Sequence, residues 1–394
     1  MRGHIVKRNR AVKGKPRYKD NWNIIIELGD DPQTGKRKQR WFSFRGTKAE
    51  AERRLTELLH QLDTGTFINP GKTTLGEYLG KWLNGYKPNL SPRGFERYQS
   101  IIDKGLIPAL GHIMLTQLKP EHVRNYYTTM QEKNANPGTV RYHHAVLHVA
   151  LETAVEWGLL GRNVADAVTL PRLRNGEMET WDEAEMTRFL EFARDSAYYE
   201  LFYTALYSGM RRSELLGLRW QDVDLDFLQI RVVRGLHQLR DGSYVFTEPK
   251  SQKSRRTIAL TPSNASLLRE YREKRRQQCT MLGTQLTDDS LVFCHYDGNP
   301  FRPNSVTRAF KNLADKAGVK AIRFHDGRHT HASIMLKRGI HPKIVQERLG
   351  HSSIQITLDR YSHVAPGLQE AAAKSFDEGL HPEKNGSVSH SVAK

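Results

Sequence analysis

Two short runs near the N-terminus, Trp22–Leu28 and Arg40–Arg45, carry the apolar and β-prone residues of strands. The turn-rich DDPQTGKRKQ between them (Asp30–Gln39) predicts a long hairpin loop. From Thr47 the period changes to that of a helix. Ala51, Leu55, Leu58, Leu59 and Leu62 form one apolar stripe on a helix that Thr47 caps and that runs through about Asp63. A linker (TGTFINPGKT, 64–73) leads into an all-helical stretch, Thr74 to about Val168. Its helices are expected over Leu75–Leu83, Pro92–Lys104, Pro120–Lys133 and Thr139–Trp157, with short loops such as LIPALGH and NANPG between them. A second, basic linker (TLPRLRNGEMET, 169–180) precedes a segment that mixes both periods. Helices over Asp182–Arg194 and Tyr198–Ser208 open it. Leu228–Val233, Tyr244–Thr247 and Thr257–Leu260 then predict three strands of one small antiparallel sheet. A charged helix (Ser263–Gln278), a short strand (Leu291–Cys294) and a helix (Ser305–Ala317) follow, and Gly367–Asp377 is Ala-rich and helical.

These patterns predict a multidomain α+β protein. A small N-terminal three-stranded sheet with one helix occupies 1–65, an all-α domain 74–168, and a mainly α domain with a small antiparallel sheet 175–378. A disordered tail is expected over 379–394. At 394 residues the chain is too long for one ordinary core, which agrees with the division.

Charge narrows the partner. The chain holds 61 Lys+Arg against 43 Asp+Glu, a net charge of +18, which points to a polyanion. No apolar run approaches the roughly 18 residues of a membrane span, and the N-terminus has no signal-peptide core. Nucleic acid is therefore expected, and no membrane. Cys279 and Cys294 make no CxxC pair or zinc spacing and read as free thiols of a reducing compartment. Residues 1–19 contain Arg2, Lys7, Arg8, Arg10, Lys13, Lys15, Arg17 and Lys19 and no acid. Such a segment is a solvated tail or an arm that tracks phosphates, and both hold for tails that order on binding. With Lys36, Arg37, Lys38 and Arg40 beside it, the small sheet is placed to lay strands into a DNA groove. The cations scattered over 74–168 read as solvated surface, and Trp82, Tyr126, Tyr127, Tyr142 and Trp157 as core.

The candidate chemistry lies mainly in Phe324–Val364 (FHDGRHTHASIMLKRGIHPKIVQERLGHSSIQITLDRYSHV). His325 and Arg328 are three residues apart, on one face of a helix turn. His351 lies 23 residues beyond Arg328, just past a Leu-Gly break, and Tyr361 ten further on. Arg328 suits non-bridging phosphate oxygens, the histidines suit hydrogen bonding or proton transfer near neutrality, and Tyr361 offers a phenolic nucleophile. A second cation is needed. Ser208-Gly209 breaks the chain just before Arg211, at the edge of a new helix, and Glu214 can bond back toward it. The turn EPKSQKSRR adds Lys250, Lys253, Arg255 and Arg256. His325 and His329 stand at a spacing that can bind zinc, but Arg328 would repel a cation there. His329 and His331 read as packing residues. The chain has no GxxxxGK[ST] and no carboxylate cluster suited to two Mg²⁺, so neither metal nor cofactor is expected.

SGMRRSELLGLRW, PKSQKSRRTIAL, FHDGRHTHAS, LGHSS and LDRYSHV occur in the order and at the spacings of the tyrosine recombinases, the integrases of temperate phages and conjugative elements. The resemblance covers nearly the whole chain. It implies an arm-type DNA-binding module, a helical SAM-like core-binding domain and a catalytic domain, in the order already divided. Arg211 matches the first catalytic arginine, Lys250 the β-turn lysine, His325 and Arg328 the HxxR pair, His351 the His/Trp position and Tyr361 the nucleophile. Glu214 matches the acid that supports the first arginine. The resemblance further implies a metal- and ATP-independent, type IB-like strand transferase acting through a 3′-phosphotyrosine. It acts on double-stranded attachment sites as a homotetramer, with a directionality factor or host DNA-bending protein as partner, in the cytoplasm of a bacterial host at its nucleoid. The alternative is a catalytically decayed architectural or regulatory DNA-binding protein of the same fold, against which the full residue set argues. One departure stands out: the family's His-Asp-Leu-Arg reads His-Asp-Gly-Arg here. Gly327 loses an apolar anchor, and a leucine there is expected to raise thermal stability.

Overall fold

The computed structural model describes residues 3–7, 21–30, 37–63, 73–173, 179–248, 255–361 and 376; at 28–30, 37–38, 61–63 and 359–361 it describes the backbone alone. The chain divides into two compact units, Met1–Arg174 and Asn175–Lys394.

In the first unit, β1 (Gly3–Lys7), β2 (Asn21–Asp30) and β3 (Arg37–Arg45) form an antiparallel sheet in that order. Helix α1 (Lys48–Asp63) starts at a reciprocal cap: Thr47 N donates to Glu50 Oε2 (2.7 Å) and Glu50 N to Thr47 Oγ1 (3.4 Å). Ile24, Ile26 and Leu58 are buried between sheet and helix, with Ile5, Phe42, Phe44, Leu55 and Leu59 around them. A second core belongs to α2 (Leu75–Tyr86), α3 (Pro92–Ile101), α4 (Ile107–Leu110), α5 (Pro120–Glu132) and α6 (Pro137–Glu156). Trp82, Tyr126 and Tyr127 are buried in it, and Tyr142 and Trp157 pack on its margin. The expected loop LIPALGH is largely helical. After α3 the chain widens through a π turn (Ile102–Leu106) and continues as α4, because Leu106 and Leu110 are buried while Pro108 sits where no N–H is required.

The second unit begins with α7 (Glu183–Ala193), α8 (Tyr199–Ser208) and α9 (Arg212–Leu216). Strands β4 (Val223–Asp224), β5 (Gln229–Val232), β6 (Gly235–Gln238), β7 (Tyr244–Thr247) and β8 (Arg256–Ala259) follow. The single predicted sheet is in fact two. β4, β5 and β8 pair in that order, whereas Tyr244–Thr247 pairs with Gly235–Gln238 in a separate ribbon. That ribbon lies against α9 at two glycines: a Cβ on Gly235 would come 3.3 Å from Ser213, and one on Gly217 3.0 Å from Leu236 N. Leu291–Cys294 is buried but makes only isolated bridges, to Arg219 and Pro300, rather than a strand. Helices α10 (Pro262–Met281), α11 (Pro303–Lys316), α12 (Asp326–Lys337), α13 (Pro342–Leu349) and α14 (Ile354–Tyr361) complete the unit. Trp181, Phe189, Phe202 and Phe310 centre its core. The Gly367–Asp377 helix falls outside the described residues except for Phe376. No helix among the described residues is long and apolar enough to cross a membrane.

Candidate active site

Two glycines end the helices from which the site is built. α8 stops at Gly209 (φ +67°) and α13 at Gly350 (φ +65°), both left-handed caps. The last carbonyls of a helix have no partner within it and carry the negative end of its dipole. At α13 three consecutive ones are taken by guanidiniums. Arg348 O accepts from Arg256 Nε (2.7 Å), Leu349 O from Arg328 Nη2, and Gly350 O from Arg211 Nη2 (3.2 Å). Arg328 Nη1 also donates to Gly209 O (2.6 Å), so it joins both helix ends. Arg211 and Arg328, 117 positions apart in the sequence, thus converge on neighbouring peptide units.

A carboxylate sits under this group. Glu214 accepts from Arg211 N (2.8 Å) and Nη1 (2.7 Å), and from Arg256 Nη1 (3.1 Å) and Nη2 (2.9 Å). Burial by itself raises its pKa; hydrogen bonding and charge from Arg256, then Arg211, overcome this and hold the carboxyl at about 2. Exposure separates the arginines. Arg328 is 3% exposed and the Arg256 side chain 6%, while the Arg211 side chain is 34% open. Arg211 is the cation most available to an incoming anion.

His351 follows the helix end directly. It is buried, with Nδ1 2.9 Å from Thr357 Oγ1 on α14, and Gln346 Nε2 donates to its carbonyl (2.7 Å). Tyr361 closes α14 four positions after Thr357, one turn further along the same side of the helix. The Tyr361 side chain is not among the described atoms. His325 caps α12. Desolvation by packed neighbours, then the Arg328 charge and more weakly that of Arg211, lower its pKa against the opposing pull of Asp326. A neutral imidazole able to accept a proton results.

His331 is a packing residue, as expected: its Nε2 accepts from Arg348 Nε (3.0 Å), so Nδ1 carries the proton given to Leu206 O (2.9 Å). At Gly327 a Cβ would stand 3.1 Å from Leu206 Cδ2 in a buried position, so the leucine of the family pattern fits there only if the Leu206 side chain gives way. Lys250 lies outside the described residues, as do Arg8, Arg10, Lys13, Lys15, Arg17 and Lys36; Arg37 and Lys38 are described as β3 backbone only. Arg40 pairs with Ile26 on the face that α1 covers and is half-buried. By the two-residue alternation the opposite face carries Trp41 and the exposed Arg45. Among the described residues one group has metal-ligand spacing, His148, Glu152 and Asp166 of the first unit. Protein groups already occupy it: His148 Nε2 lies 2.7 Å from Asp166 Oδ1, and Asn163 Nδ2 donates to Glu152 Oε2 (3.0 Å).

Sequence reasoning did not find the part played by Arg256 or by the backbone of Arg348–Gly350. Arg256 was visible only as one of four cations in a turn. The Leu-Gly break before His351 was the available signal, because a glycine ending a helix leaves its carbonyls open.

Clustered guanidiniums beside a neutral histidine, in a chain of net charge +18, define a nucleic-acid-binding protein equipped to hold a phosphodiester. Residues 179–367 match the phage integrase family, and residues 74–131 the phage integrase N-terminal SAM-like domain. The chain is 27% identical over 393 residues to the "Tyrosine recombinase XerC-like" protein of Caldanaerobacter subterraneus subsp. tengcongensis, covering 95% of this chain and 99% of that one. It is 26% identical over 361 residues to the ICEBs1 integrase of Bacillus subtilis (strain 168), covering 91% and 97%. Its fold is similar to that of the Tn1549 transposon integrase in complex with a circular intermediate DNA, with a TM-score of 0.66, 20% identity, and 78% and 99% of the two chains covered. The chain belongs to the phage integrase family of tyrosine recombinases, the site-specific DNA recombinases of mobile elements.

Proposed function

We propose that this chain integrates and excises a mobile element by attack of Tyr361 Oη on a backbone phosphorus of its attachment site. The P–Oη bond forms as the bond to the 5′-oxygen breaks, leaving a 3′-phosphotyrosine and a free 5′-hydroxyl. His325 takes the phenol proton, and Lys250 gives one to the departing oxygen. Arg211 and Arg328 hold the non-bridging oxygens, whose charge grows in the transition state, and His351 adds a hydrogen bond. The ester keeps the energy of the broken bond, so a 5′-hydroxyl of another strand displaces tyrosine without nucleotide or metal. The observation that carries this reading is the convergence of Arg211 and Arg328 on the carbonyls that precede His351.

Each cut uses one tyrosine, and exchange between two duplexes cuts four strands. A homotetramer on paired sites therefore supplies the nucleophiles. Segments 74–168 and 175–378 each bind the core site, and 1–65 engages arm sites through Arg8, Arg10, Lys13, Lys15, Arg17, Lys36, Arg37 and Lys38. A directionality factor or host DNA-bending protein sets direction, and the reaction takes place in the bacterial cytoplasm. The test is a suicide half-site that loses the 5′-hydroxyl fragment on cleavage. Wild type accumulates a covalent adduct, Tyr361→Phe does not, and EDTA changes neither. No adduct from wild type would make the chain a DNA-binding protein without strand transfer; dependence on metal would replace tyrosine chemistry altogether.

A further inference from the structure

Glu214 poses a charge problem for the site. A buried carboxylate bonded to Arg211 alone would make a neutral pair and cancel the charge of the most open arginine. The structure resolves this with Arg256, which is committed to the interior at all three nitrogen positions: Nε on Arg348 O (2.7 Å), Nη1 on Glu214 Oε1 (3.1 Å) and Nη2 on Glu214 Oε2 (2.9 Å). With Arg256 included, the Arg211–Glu214–Arg256 group keeps one net positive charge.

We propose that Arg256 is a positioning residue for strand cleavage: by balancing Glu214 it leaves the Arg211 guanidinium as an uncancelled cation, fixed in direction, for the scissile phosphate. The proposal rests on the strand-cleavage reading above. Two further features support it. A planar fork is required, since one ammonium cannot reach both carboxylate oxygens and a carbonyl behind them. The backbone also makes room for that fork. A Cβ on Gly350 would lie 3.0 Å from Arg256 Cδ and 3.1 Å from its Nη1, so the residue that ends α13 is the one that lets the side chain pass. Arg256 opens β8, six positions after Lys250, and pairs there with Val232. It is thus the point at which the first strand after Lys250 is tied to the arginines.

The experiment measures single-turnover cleavage of the suicide half-site by the full chain, with affinity for an intact site measured in parallel. Arg256→Gln, Arg256→Lys, Glu214→Gln and the double variant are compared, and the exposed Arg276→Gln controls for loss of one charge. Arg256→Gln should slow cleavage about tenfold to a hundredfold at saturating DNA, less than or equal to the loss of a direct transition-state donor. Its Kd should stay within about threefold, as a residue off the DNA surface requires. Its pH–rate profile should move to higher pH, because a weaker positive field makes the phenol harder to ionise. Arg256→Lys, with charge but no fork, should also be slow. The double variant should be no slower than Glu214→Gln, since the charge to be balanced is gone. Should Arg256→Gln fail to fold, Arg256→Lys and the double variant carry the comparison. Wild-type rates and profile in the Arg256 variants, or fully additive losses in the double variant, overturn the proposal. An inactive wild type overturns the strand-cleavage reading itself.

Discussion

Replacing Glu214 with glutamine removes the charge of the most strongly perturbed carboxylate in the site while keeping its shape. The carboxyl titrates at about 2 in the folded chain against an ordinary value of 4.5. That difference corresponds to about 3 kcal/mol of folded-state stability at neutral pH. Because the folded value is the lower one, the contribution is complete above about pH 4.5 and is lost as the pH falls toward 2. Glutamine also turns one acceptor into a donor that faces Arg211 or Arg256, so part of the set of four hydrogen bonds is lost as well. Urea unfolding at pH 7 should therefore show Glu214→Gln less stable by about 3 kcal/mol. At pH 3.5 the wild type has itself lost part of that advantage, and the gap should narrow by about 1 kcal/mol. A gap of the same size at both pH values would mean that the carboxylate is held for its shape and not its charge, and the account of the site would fail.

Three further outcomes follow from the same geometry. Gly350→Ala places a Cβ at φ +65° and 3.0 Å from Arg256 Cδ, and should cost about 1–2 kcal/mol by thermal or urea unfolding while slowing adduct formation. An unchanged melting temperature would show that α13 does not need its left-handed cap. Gly327→Leu should lower the melting temperature, by an amount equivalent to about 1–3 kcal/mol of overpacking against Leu206; a rise would restore the anchor expected from the family pattern. His331, kept neutral by desolvation among packed neighbours and by the Arg348 charge, titrates at about 3 against an ordinary 6.5, so its contribution is whole above about pH 6.5 and declines as the pH falls. Between pH 7.5 and 5.5 wild type should lose about 1 kcal/mol more than a His331→Asn variant, as paired urea midpoints would show, and equal losses would contradict the packed neutral imidazole.

How much was legible in the sequence depended on whether the signal was local. Caps and stripes are local, so Thr47 and the Ala51–Leu62 stripe gave their helix to within a few residues. Pairing is not local. Tyr244–Thr247 looks like any other short strand, yet it joins a ribbon that lies against α9 at Gly235 and Gly217 instead of the β5–β8 sheet. LIPALGH carries the proline and glycine of a loop, whereas Pro108 occupies a first turn and Leu106 and Leu110 are buried. In the site, His325, Arg328 and His351 were visible from residue type and spacing, and Arg211 and Glu214 through the family resemblance. Arg256 was not, because its importance comes from Glu214 and Arg348 O, 42 and 92 positions away. The face on which Arg40 lies was equally hidden until the register of β2 and β3 was known.

Three guanidiniums within reach of one peptide segment repel one another, and the protein supplies groups that oppose the repulsion. Glu214 offsets one charge. The rest is offset by dipoles: Gly209 O at the end of α8, and Arg348 O, Leu349 O and Gly350 O at the end of α13. Carbonyls suit this purpose better than further carboxylates would, since each additional anion would lower the field that a phosphate meets, whereas a dipole orients a guanidinium without cancelling its charge. The arrangement also makes the end of α13 a shared mount. A shift of that helix end displaces Arg211, Arg256 and Arg328 together, and carries His351 and its bond to Thr357 of α14 with it. Cation placement and the entry of the helix that ends at Tyr361 are thereby set by one piece of backbone, so a substitution that moves it, such as Gly350→Ala, should weaken phosphate binding and strand cleavage together instead of either alone.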